Sequence, residues 1–137
     1  MQNGKWNVYQ RGFLDAKLVT AGAWVSVVDV SGCAAVFFYD TAGRASAAHI
    51  TAGNEVDEAE EAATQAQDAM TIATIDVHTY SQTKFGQIKM GIRMELSRSI
   101  PVTYIPYTLN TSNRKARMMF SHQSGAVGSA SAEAYTC

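Results

Sequence analysis

The sequence predicts an α/β (α+β) sandwich, a single domain over residues 1–137 in which two helices cover a mixed β-sheet core. Two runs dense in β-branched and aromatic residues, Trp24 to Val30 and Cys33 to Tyr39, read as strands. Val56, Ala59, Ala63, Ala66 and Met70 recur at intervals of three and four, which puts them on one face of a helix. Strand-like segments stand on both sides of the helical ones, and helices in that order cover apolar sheet faces that a sheet cannot bury alone.

In chain order, alternation from Trp6 to Arg11 predicts a first strand, and Phe13 to Thr20 a second extended piece. Ser31-Gly32 between the two β-rich runs reads as a tight hairpin turn, because glycine tolerates the positive φ such turns demand. Asp40-Thr41-Ala42-Gly43 makes the next turn, and Ala45 to Ile50 returns as a third strand. Asn54 stands where the N-cap of the first helix is expected. Glu55, Asp57, Glu58, Glu60 and Glu61 then set negative charge against the positive end of the helix dipole, as a solvated face rather than a docking patch. Ile72 to Tyr80 reads as a strand and Ser81 to Ser99 as a second helix, with Phe85, Ile88, Ile92 and Leu96 on one face. Gly86 and Gly91 each cost that helix about 1 kcal/mol relative to alanine, which leaves a strand through Ile88 to Leu96 as its alternative. Val102 to Leu109 is a strand that Pro106 confines to an edge or a bulge. Arg117 to His122 and Ala130 to Tyr135 follow as strands around a Gly/Ser-rich loop.

A chain of 137 residues, 47% hydrophobic and 17% charged, is long enough for one ordinary core. Its net charge of −1 excludes a strongly basic nucleic-acid surface as the default reading. Arg114-Lys115-Arg117 is a solvated loop rather than a docking face on the same grounds. Two cysteines cannot build a dense disulfide framework, and a Cys33–Cys137 bridge would consume the more interesting thiol. With His49, His78 and His122 scattered, no metal-ligand spacing is present and no cofactor is expected. Met1 to Trp6 lacks the apolar core of a signal peptide, and no stretch approaches the ~20 apolar residues of a membrane span.

Cys33 follows a glycine turn at the start of its strand, a place where a thiol reaches the open end of a sheet. Thiols attack as thiolates, and an ordinary thiol with a pKa of about 8.5 needs a neighbouring base at neutral pH. If the next turn folds the chain back, His49 returns towards the end of the sheet where Cys33 sits. His78 lies on an alternating strand and is expected to face solvent, while His122 adjoins the Gly/Ser-rich loop. His49 is therefore the expected general base.

Val30-Ser31-Gly32-Cys33, followed by an apolar strand, a Gly-containing turn and a histidine at 49, resembles the cysteine-dependent protein glutamine deamidases. That group includes the catalytic domains of cytotoxic necrotizing factor, the lethal-factor-type toxins with their Leu-Ser-Gly-Cys motif, and the chemoreceptor deamidase CheD. The likeness covers residues 24–50 closely and the rest as an order of elements. It implies an α/β sandwich of the CheD or necrotizing-factor kind, with Cys33 as nucleophile and His49 as base. It also implies a third element that orients the histidine. At the CheD spacing this chain has Val27 in place of a threonine, so only the Val27 backbone carbonyl could serve, with Ser26 and Ser31 as side-chain alternatives. The Cys33 N–H, with an amide exposed by Gly32, is the implied oxyanion donor.

The resemblance further implies a bacterial toxin or secreted effector, brought into a target cell by a specialised secretion system. Its expected partner is a protein substrate such as a small GTPase, a translation factor or a receptor. No nucleic acid or membrane span is expected, and the chain is expected to act as a monomer. The alternative is a catalytically silent binding or structural domain in which Cys33 is simply core.

Overall fold

The computed structural model describes residues 5–96, 99–108 and 116–136, and it is the mixed α+β sandwich that the sequence predicts. The strands, however, form two mixed sheets rather than one. The chain runs through β1 (Lys5–Val8), β2 (Phe13–Leu14), β3 (Trp24–Val30), β4 (Ala34–Tyr39) and β5 (Ala45–Ile50) to α1 (Glu55–Ala69). It continues through β6 (Thr74–Thr79), α2 (Gln82–Glu95), β7 (Val102–Pro106), β8 (Ala116–Gln123) and β9 (Ser131–Thr136). The second extended piece is short: after β2 the backbone winds into a 3-10 turn over Ala16–Leu18, capped by the Asp15 carboxylate on the Lys17 N–H.

The five-stranded sheet has the order β2-β5-β4-β6-β7, and the four-stranded sheet β1-β3-β8-β9. All six residues of β4 and all six of β5 are buried, the mark of strands covered on both faces. On one side Ala34, Val36, Phe38, Ala48, Ile50, Ile75 and Val77 pack against α1 and α2. On the other Ala35, Phe37, Tyr39, Ala45 and Ala47 meet Val8, Val25, Val27, Val30 and Phe120 of the second sheet. The result is three layers, helices on sheet on sheet.

Gly91, which weakens α2 on propensity, lies where the helices touch: a Cβ there would run into the Val56 carbonyl and stand 3.0 Å from the Ala59 Cβ. The helix reading of Gln82–Glu95 therefore holds over the strand alternative, because close approach of α1 requires the glycine. Asn54 is at the N-cap of α1 but makes no side-chain cap there. The carboxylates take over, with Glu58 accepting from the Thr51 N–H at 2.9 Å and Glu55 from the Gly53 N–H at 3.0 Å. Pro106 closes β7, which is an edge strand, so its missing N–H interrupts no ladder.

Ser31-Gly32 is not a hairpin turn, because β3 and β4 belong to different sheets. Asp29 at φ 57 and a register shift between Val27 and Val30 bend the chain out of the four-stranded sheet. Gly32 at φ 84 then carries it into the five-stranded one. The connection is a corner between layers, and it presents Cys33 at the rim where the layers meet.

Candidate thiol site

Cys33 is a free, half-buried thiol packed against the inter-sheet core. Ser31 beside it is exposed and Gly32 half-exposed, with open space around the position a Gly32 Cβ would take. The peptide is pinned from across the sheet: the Tyr107 hydroxyl donates to the Cys33 carbonyl at 2.6 Å. Burial pushes the Tyr107 phenol up, opposed by the Gly32 backbone and reinforced by the nearby Cys33 and Tyr80, so this hydroxyl remains a donor at neutral pH. Tyr80 closes on Tyr107 edge to face with centroids 6.1 Å apart. The Lys84 ammonium, paired with Glu55 at 3.0 Å, lies within electrostatic reach of Cys33.

The return of His49 follows from the β4–β5 hairpin. Ala34 pairs with Ile50 and Ala35 with His49, and the ladder ends there with Cys33 in the bend just before β4; one further step of the same register would set Cys33 opposite Thr51 and diagonal to His49. Diagonal neighbours in an antiparallel pair lie about 7–8 Å apart, within reach of a long side chain. His78 has the same relation from the other side, because Ala35 also pairs with His78 of β6. The two imidazoles flank Ala35 on the inter-sheet face, each 1% exposed. His78 therefore does not face solvent, as alternation had suggested, because the second sheet covers the face that would otherwise be wet.

Their surroundings tell the two histidines apart. His78 sits among aromatic rings, 5.6 Å from Phe37 and 4.6 Å from Phe120, and burial alone lowers its pKa to about 4. Burial also lowers the His49 pKa, but there the Val8 backbone carbonyl, Asp29 and Glu58 pull it back up. His49 is thus the one surrounded by groups that favour accepting a proton. Neither ring has a hydrogen-bond partner on either nitrogen, so the Val8 carbonyl stands near His49 outside bonding geometry, and no thiol–imidazole hydrogen bond is formed. His122 is remote, at the other end of the sheet, with its Nε2 2.7 Å from the Gly43 carbonyl oxygen.

Val27 is fully buried in β3, and its carbonyl does not bond the His49 ring. The carbonyl that acts on His49 belongs to Val8, the register partner of Val27 in the parallel β1–β3 pair. Ser26 is engaged elsewhere, 2.8 Å from the Ser121 hydroxyl. Of the residues expected from sequence, Ser31, Gly32, Cys33 and His49 gather at one sheet end, while Val27 supports that end from the next layer. Tyr107, Val8 and Lys84 join them, and nothing in their local sequence signals it, because each arrives by long-range pairing. Cys137, Arg114 and Lys115 lie outside the described residues.

Among the described residues no helix is long and apolar enough to cross a membrane, and no three His, Cys, Asp or Glu side chains are grouped to hold a metal ion. No family model matches the chain, and no curated protein matches it in sequence.

Proposed function

We propose that the protein is a glutamine deamidase acting on a protein substrate, with Cys33 as nucleophile and His49 as general base. The observation that carries the reading is the register: a half-exposed thiol on a glycine corner lies two residues before Ala35, the ladder partner of His49, whose ring nitrogens have no hydrogen-bond partner. Hydrogen bonds of this kind are often long before substrate binds and tighten in the complex. His49 takes the Cys33 proton, and the thiolate attacks the glutamine side-chain carbonyl. The tetrahedral oxyanion forms beside the Cys33 N–H and a neighbouring amide exposed by Gly32, where a donor is typically worth ~3 kcal/mol. Protonated His49 gives its proton to the departing ammonia, and water hydrolyses the glutamyl thioester to glutamate. An amine in place of water gives transglutamination.

The Val8 carbonyl, near the His49 ring though not bonded to it, is the group placed to take the orienting role that the resemblance assigns to Val27 once the ring is protonated, and Tyr107 fixes the peptide that carries the thiol. Delivery as a secreted bacterial effector belongs to the same proposal and rests on the resemblance. The burial of both imidazoles favours the second reading, a silent structural domain whose polar rings are remnants of packing.

Mass spectrometry of proteins from bacterial and eukaryotic lysates, incubated with wild type or Cys33→Ser, separates the two. The deamidase reading expects a one-dalton gain on specific glutamines with wild type only, lost again in His49→Ala. Identical peptide masses in all three samples would leave the silent domain standing.

A further inference from the structure

A second site lies at the opposite end of β4. Tyr39, the β4–β5 turn, β6, β7 and the loop after β8 line an open cleft of about 340 Å³, close to the lower bound of about 300 Å³ for small-ligand pockets. The six residues of β4 separate it from Cys33, a span of about 20 Å at ~3.4 Å per residue.

Its walls are held by specific bonds. The Asp40 carboxylate accepts from the Ala42 and Arg44 N–H groups, both at 2.9 Å, and shapes the turn. Gly43 at φ 84 lets the loop approach so closely that a Cβ there would stand 2.7 Å from the Ala126 carbonyl oxygen. The Gly125 N–H donates to the Gly43 carbonyl at 3.1 Å, and the Ala130 N–H to the Tyr39 hydroxyl at 3.0 Å. The Ser129 hydroxyl donates to Asp76 Oδ2 at 2.6 Å, tying the loop to the sheet.

The charge of this cavity does not balance. Asp40 is matched by the Arg44 guanidinium at 2.7 Å. Burial and the neighbouring Asp76 both push the Tyr39 phenol up, so it stays neutral. Asp76 is only 8% exposed, and among the described residues it belongs to none of the ion pairs. With one hydroxyl bonded at Oδ2 and no ion-pair partner among the described residues, the Asp76 carboxylate presents an unmatched negative charge to the cleft it lines, and a cation there would form a charge-assisted hydrogen bond with it. No grouping of three metal-ligating side chains surrounds it among the described residues, whereas hard metal ions take several oxygen ligands. Thr74 and Thr103 line the same cavity with hydroxyls.

We propose that this cavity binds an organic cation, an alkylammonium or guanidinium group, whose charge pairs with Asp76 and whose N–H groups reach the surrounding hydroxyls. Its volume suits one such group with its alkyl stem. The site is independent of the thiol chemistry.

The test is NMR titration of the whole chain with n-butylguanidinium, n-butylammonium, the peptide acetyl-Gly-Arg-Gly-amide, neutral n-butanol and glucose. Saturable shifts at Thr74, Asp76, Thr103 and Ser129 are expected with the cations and not with butanol or glucose. Asp76→Asn should weaken binding at least tenfold, and Cys33→Ser should leave it unchanged. Thr103→Lys, at an exposed rim position, supplies an internal ammonium and should abolish binding even if Asp76→Asn does not fold. Binding of the peptide marks a protein side chain as the natural occupant, and binding of the free cations alone marks a small molecule. No saturable shift with any cation, equal shifts with butanol or glucose, or undiminished binding in Thr103→Lys would overturn the proposal.

Discussion

On the helix-covered face of the five-stranded sheet, alanine, valine, isoleucine and Phe38 side chains meet α1 and α2. Ser46, on the same face, is used up by the Ala16 N–H at 3.0 Å and the Met70 sulfur at 3.3 Å. On the other face the same strands carry Cys33, His49, Asp76 and His78 against the second sheet, and four imidazole nitrogens are left without partners. Apolar side chains would fill that space at lower free-energy cost, since buried polar groups without hydrogen bonds are rare and destabilising. Both faces are packed, but the inter-sheet face also carries the groups capable of chemistry.

That division predicts different consequences for damage on each side. Phe38→Ala, on the helix face, should lower stability by about 3–5 kcal/mol in chemical denaturation, yet leave alkylation of Cys33 in the folded fraction unchanged. A parallel loss of thiol reactivity would show that the two faces are not separable.

The inter-sheet face should make the protein acid-sensitive. His78 has a folded pKa of about 4 against an ordinary 6.5, so the unfolded chain binds a proton first as pH falls. Its contribution is fully present above pH 6.5 and is lost progressively down to about 4, a total of about 3 kcal/mol. His49 is lowered too and acts in the same direction. Denaturation midpoints measured across this range should fall for wild type and much less for His78→Leu.

Gly91→Ala should cost about 1–3 kcal/mol by overpacking the α1–α2 contact. This reverses the gain expected from helix propensity alone, and a stabilised variant would refute the close approach. Ser81→Ala removes the cap on the Lys84 N–H, 3.3 Å from the Ser81 hydroxyl, and should cost about 1 kcal/mol in the same assay. It leaves both faces intact, so thiol reactivity should not change.

Much of the helix face was legible in the sequence because its signals are local. The stripe through Ala59, Ala63 and Ala66 and the β-branched runs set the elements, and the Asp40 to Gly43 turn set the β4–β5 hairpin that returns His49. The other face was not legible, because it is made by pairing between distant segments. Local pattern could not show that Ser31-Gly32 joins two sheets, that β1 pairs in parallel with β3 and brings the Val8 carbonyl to His49, or that a second sheet covers His78. Tyr107 reaches the Cys33 carbonyl across 74 residues of sequence, a contact no spacing rule anticipates.

The most direct test of the thiol site is the rate of carbamidomethylation at Cys33, followed by peptide mass spectrometry at pH 7 in wild type, His49→Gln and His78→Gln. If His49 takes the thiol proton, His49→Gln should react at least about tenfold more slowly than wild type, while His78→Gln keeps the wild-type rate. Equal rates in wild type and His49→Gln, with both folded, would contradict the assignment of His49 as the base that activates Cys33.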